Sequence, residues 1–232
     1  MPPIRALLAL CLIIGACTHA VRAQDAWPTP QTEHAWGLAI IDVETTGLDP
    51  SQAEMIDIGA IYTDLEGNEL GRFFTRMMPP HPDRVDPGAQ AVNGYSAKRW
   101  RAASAPSEAE AAARFLAFHE RASSGRRMIF TAFNAPFDKG FVDAWLKRHG
   151  SGYDALYVYM PLDLPSLAWG RGFRAMGARR LATQLGLPPE TDDPLQHTGQ
   201  TGAEFNLMIY RTLLRQAGPD ARPDSVRPSQ GK

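Results

Sequence analysis

The sequence predicts an α/β fold, a five-stranded sheet flanked by helices, on three observations: a short buried-strand run, a hydrophobic meander behind it, and later segments with apolar residues at helical spacing. The run is Leu38 to Val43, broken only by the acid Asp42, and it suits a strand buried on both faces at the sheet centre. Met55 to Thr63 is rich in isoleucine, Glu66-Gly67-Asn68 supplies turn chemistry, and Leu70 to Met77 returns, so the first three strands form an antiparallel meander. Pro79 to Pro87 reads as loop. Ser107-Glu108-Ala109-Glu110 is a capping box opening a helix whose apolar face holds Ala112, Phe115, Leu116 and Phe118, ending near Ser123 to Gly125. Met128 to Phe133 is a fourth, buried strand. Phe137, Phe141, Val142, Trp145 and Leu146 share one side of a helix that Gly150 stops. Tyr157 to Met160 is expected as the fifth strand, followed by helices around Ser166, from Ala178 to Leu185, and around Phe205, Met208, Ile209 and Leu213.

The composition sets bounds on what the chain can be. At 232 residues with 44% apolar and 21% charged, it can fill one core, and wholesale disorder or a multi-span membrane protein is excluded. Residues 1–23 read as a signal peptide: Arg5 precedes the apolar run Ala6 to Ala16, no acid occurs before Asp25, and Val21-Arg22-Ala23 fits a small-x-small cleavage site. Ile14-Gly15-Ala16-Cys17 also resembles a lipoprotein lipobox, so membrane attachment is expected only if Cys17 is lipidated. Either reading places the mature protein outside the cytoplasm, periplasmic or secreted, whereas a mis-assigned start would leave it cytoplasmic. Residues 24–36 read as a linker, 37–216 as the folded domain, and 217–232 as a disordered tail. Cys11 and Cys17 both fall in the signal segment, which rules out a disulfide or a zinc-thiolate site in the mature domain. Removing Arg5 and Arg22 leaves 22 basic and 25 acidic residues, a net charge of −3, so no polyanion partner is advertised globally.

Asp42 and Glu44 stand two apart at the end of the first strand, which puts both carboxylates on one face, where they can share a cation. Asp42-Val43-Glu44-Thr45-Thr46-Gly47-Leu48, followed by Glu54-Met55-Ile56-Asp57-Ile58-Gly59-Ala60, resembles the first motif of the DnaQ-like 3′-to-5′ exonucleases, the DEDDh branch of the DEDD superfamily. Asn134-Ala135-Pro136-Phe137-Asp138 resembles the second motif, with the aspartate at a helix start. His197-Thr198-Gly199-Gln200-Thr201-Gly202-Ala203 fits the frame of the third, in which a histidine is followed five positions later by an aspartate. The histidine is present, and glycine stands at 202. Phe133 and Asn93 occupy positions where the family often has histidine. The resemblance runs from about Trp36 to Leu214.

That resemblance implies a ribonuclease-H-like fold, its mixed five-stranded sheet starting as the meander and continuing with parallel strands. It also implies phosphodiester hydrolysis assisted by two Mg²⁺ or Mn²⁺ ions. Asp42, Glu44 and Asp138 would hold the metal, and His197 would be the general base, a role its ordinary pKa of ~6.5 suits. The expected partner is nucleic acid: single-stranded DNA, RNA or short oligonucleotides.

Glycine at 202 removes one anionic anchor, and a steep loss of catalysis is expected. Glu204 is the nearest acid but lies about 200° around the helix, while Asp192 and Asp193 in the preceding loop could swing in. Basic residues gather locally at Lys98, Arg99 and Arg101, at Arg126 and Arg127, and at Arg171, Arg174, Arg179 and Arg180, where they could position phosphates or serve as solvated surface. Phe133, Phe137 and Trp169 could stack on a base, with core packing the alternative for the first two. Two rivals to an exonuclease stay open: a non-cutting pseudoenzyme that binds nucleic acid or a nucleotide, and an envelope protein that uses the scaffold for protein contacts.

Overall fold

The computed structural model describes residues 27–29 and 31–216. The signal segment, both cysteines and the tail lie outside the described residues. Strands β1 (Trp36–Thr45), β2 (Met55–Thr63), β3 (Glu69–Arg76), β4 (Arg127–Ala132) and β5 (Leu162–Asp163) form one sheet in the order β3-β2-β1-β4-β5. β1 is central. It pairs antiparallel with β2 and parallel with β4, and β4 pairs parallel with β5, which gives the mixed sheet.

The side-chain alternation of β1 divides the core. Ala39, Ile41 and Val43 pack into one apolar cluster with α3 (Glu108–Ser123) and α4 (Ala135–Arg148). Leu38 and Ile40 pack into a second, with α6 (Leu164–Gly170), α7 (Ala178–Leu185) and α8 (Gly199–Arg215). Helices therefore cover both faces, as a strand with a continuous apolar run requires. Asp42 and Glu44 continue the Leu38–Ile40 series and so point toward α8.

The capping box at Ser107 is formed and α3 ends at Ser123, with Ser124 and Gly125 in the left-handed region. Three features depart from expectation. The fifth strand is Leu162–Asp163, whereas Tyr157 makes only an isolated bridge to Met128. The cause is local: α5 (Tyr153–Leu156) runs directly into Tyr157, and the chain then bows outward, exposing Tyr159 and Met160, before it rejoins β4. Second, the proline-rich loop ends in helix α1 (Pro87–Asn93), for which Asp86 accepts from Gly88 and Ala89 N–H while Pro87 occupies the first turn, where no N–H is needed. Third, α2 (Ala97–Ala102) follows, capped by Ser96.

Candidate active site

The carboxyl ends of β1 and β4 converge on the first turns of α4 and α8, and the family-motif residues meet there. Glu44 is 7% exposed, and its Oε1 lies 3.2 Å from His197 Nε2. Asp138, in the first turn of α4, is 3% exposed and accepts the Val43 N–H at 3.0 Å, so the helix is tied to β1 between the two strand acids. Asp163 accepts from Ala135 N at 3.1 Å and from Ser166 N at 3.0 Å, fixing the starts of α4 and α6 together. His197 sits on the loop just before the Thr198 cap of α8, as expected.

The histidine is oriented on both sides. Its Nδ1 lies 3.0 Å from the Thr191 carbonyl, which can only accept, so Nδ1 carries the proton and Nε2 faces Glu44. Arg99, from the first basic patch, donates to the Leu195 carbonyl at 2.6 Å and braces the same loop.

Burial and mutual repulsion dominate the acids. Burial pushes Asp42 well above the usual carboxylate range, and Asp138, Glu44, Glu190 and Asp57 add to the rise. Asp138 is raised chiefly by burial, against its hydrogen bond from Val43. Glu44 is pushed up to about 8, mainly by burial, while a hydrogen bond from Asn93 opposes the rise. Asn93 is itself buried and donates to the Thr45 carbonyl at 2.9 Å, so this polar residue braces the end of β1.

Two contributors carried no role in the sequence reading. Asp57 lies opposite Glu44 in the β1–β2 register and is fully buried; Oδ1 accepts from Gly199 N at 2.9 Å and Oδ2 has no partner. Burial, then Glu44, pushes it up to about 8. A lone acid in an otherwise apolar strand was the available signal. Glu190 approaches from the loop before His197.

Gly202 is buried in the first turns of α8, and a methyl group built there would overlap the Asp42 carboxylate. None of the acids weighed as substitutes turns inward. Glu204 pairs with Arg72 at 2.9 Å, Asp192 pairs with Arg179, and Asp193 accepts from Leu195 N at 2.9 Å and Gln196 Nε2 at 2.7 Å.

Several of the basic side chains are engaged by the protein itself. Arg171 donates to the Leu213 carbonyl, and Arg174 donates to the Trp169 carbonyl and lies 4.5 Å over the half-exposed Trp169 ring. Arg127 begins β4, at the opposite end of that strand from the acids. Phe133 and Phe137 pack against the two apolar clusters, which leaves Trp169 as the exposed ring of the three proposed for stacking.

The donor set fits a hard divalent cation. The converging groups are carboxylate oxygens withdrawn from water, raised by one another's charge, and one of them, Asp57 Oδ2, is buried without a partner. Among the described residues no three Asp, Glu, His or Cys groups close on a single point, so an ion held here would need side chains to rotate toward it.

Comparison with known proteins gives the same assignment. The exonuclease family RNase_T matches residues 39–192, short of His197 and Gly202. An oligoribonuclease of Halorhodospira halophila is 30% identical over 138 residues, covering 57% of this chain and 72% of that protein. Among solved structures, a zinc-bound E. coli exonuclease I complex with single-stranded DNA superposes with a TM-score of 0.63 at 18% identity, covering 80% of this chain. The same enzyme with a dT13 oligonucleotide gives 0.62 at 17% identity over 78% of this chain. The chain spans about two fifths of the length of those exonuclease I chains, 41% in both cases. The chain therefore belongs to the RNase_T exonuclease family, with the DnaQ-like 3′-to-5′ exonuclease domain on the ribonuclease-H-like fold.

Proposed function

We propose that the protein removes nucleotides from the 3′ end of single-stranded nucleic acid or short oligonucleotides by metal-assisted hydrolysis. The observation that carries this reading is the meeting of Asp42, Glu44 and Asp138, from separate stretches of chain, beside the oriented Nε2 of His197. Asp42, Glu44 and Asp138 would hold the metal. Two bound Mg²⁺ or Mn²⁺ ions would acidify the attacking water and neutralise charge on the attacking and leaving oxygens.

His197 Nε2 takes the water proton, and Nδ1, donating to the Thr191 carbonyl, keeps the ring aimed as charge develops on it. The bond from phosphorus to the 3′-oxygen breaks, the new P–O bond forms from water, and the leaving oxygen acquires a proton from solvent. The product is a nucleoside 5′-monophosphate. The half-exposed Trp169 offers a ring on which a base could stack.

Gly202 supports a second reading, in which the cleft binds nucleic acid without cutting. A 5′-labelled single-stranded oligonucleotide with Mn²⁺ separates the two. The exonuclease reading expects a ladder of shortened products that Asp42→Ala abolishes; binding by the wild type with no shortening favours the pseudoenzyme. Export belongs to the same proposal, on the strength of the apolar run Ala6 to Ala16. A reporter fused to residues 1–30 that stays inside the cell removes that part.

A further inference from the structure

Gly202 leaves the site one acid short of its family, and the space a side chain would need at 202 is filled by the Asp42 carboxylate. The site is therefore built around that arrangement. A replacement anion must arrive from another element, and Asp192, Asp193 and Glu204 are each committed elsewhere.

Glu190 is the acid that does arrive. It follows Pro188 and Pro189, whose fixed φ angles narrow the path of the chain into the site, and it precedes Thr191, whose carbonyl orients His197. Its side chain is 21% exposed, and Oε1 lies 3.9 Å from His197 Nδ1, beyond hydrogen-bond range. That oxygen is out of solvent and has no hydrogen-bond partner. Glu190 is also close enough to Asp42, Glu44 and Asp138 to raise all three. Burying an anion among like charges without a donor is costly, and a cation is what relieves that cost.

We propose that Glu190 is the fourth carboxylate of the metal site, supplying from the histidine loop the anchor that Gly202 does not. This rests on the exonuclease reading. Because ligand and general base share one short loop, metal binding and placement of His197 become a single event.

The test is Mn²⁺ titration by calorimetry of wild type, Glu190→Gln and Glu204→Gln, with melting of each metal-free protein. Glu190→Gln is expected to weaken Mn²⁺ binding about tenfold and to melt, without metal, at or above wild type, since it removes a repelling charge. Glu204→Gln should bind as wild type. The assignment is overturned if Glu190→Gln binds Mn²⁺ normally, or if its metal-free form melts lower, which would make Glu190 a packing residue. If Glu190→Gln binds normally while wild type shortens oligonucleotides in a metal-dependent way, only the Glu190 assignment falls. If wild type takes up no Mn²⁺, both readings fall together.

Discussion

At the scale of single residues, position 202 controls more than its own side chain. The atoms nearest an added methyl group there belong to the carboxylate of Asp42, the end of a side chain that can swing aside. Gly202→Ala should accordingly separate stability from function. Alanine gains about 0.5–1 kcal/mol of helix propensity, offsetting the displacement, so the melting temperature should stay within about 3 °C of wild type. A misplaced Asp42 should lower the cleavage rate roughly a hundredfold. Equal rates for Gly202→Ala and wild type would show that Asp42 does not act from where it sits. Asp42, Glu44, Asp138 and His197 were legible in the sequence because motif spacing encodes them. Glu190 was not, since a loop acid enters the site only once tertiary contacts are set, and Asn93 was visible only as a departure from the family's histidine, not as a brace for β1.

Between elements, α8 comes very close to β2. Both backbones lack side chains at the crossing, where a Cβ on Gly59 would overlap the Gly199 carbonyl, and Asp57 accepts the Gly199 N–H beside it. Here the obstacle is rigid backbone. Gly59→Ala should cost about 3 kcal/mol or more, lowering the melting temperature by roughly 6–12 °C for a domain of this size, and should impair cleavage by moving His197. A variant that melts like wild type would mean the helix start tolerates a shift. The order of strands and helices was readable from periodicity and capping. The fifth strand was misplaced because Tyr157 to Met160 has strand-like composition, while the turn of α5 before it bends the chain away from the sheet.

For the molecule as a whole, pH bears on stability through a histidine far along the sheet from the acids. His119 Nδ1 lies 2.7 Å from the Tyr62 hydroxyl, which lies 3.1 Å from that of Tyr157, and burial pushes the imidazole from about 6.5 down to about 4. Between those values the unfolded chain binds a proton that the folded one refuses, so stability falls as pH drops from about 6.5 to about 4 and levels off below. Melting temperatures across that window should decline more steeply for wild type than for His119→Gln; parallel curves would remove the linkage. The two-faced core was foreseeable from the apolar run of β1, whereas this buried tyrosine–histidine chain arises from residues 57 and 95 positions apart and leaves no local pattern. Asp163 carries a mechanical consequence at the same scale. One carboxylate clamps the first turns of two helices, one bearing Trp169 at the surface and the other bearing Asp138 in the cleft. A load on the indole would thus be felt, through that shared carboxylate, at the helix start that carries Asp138.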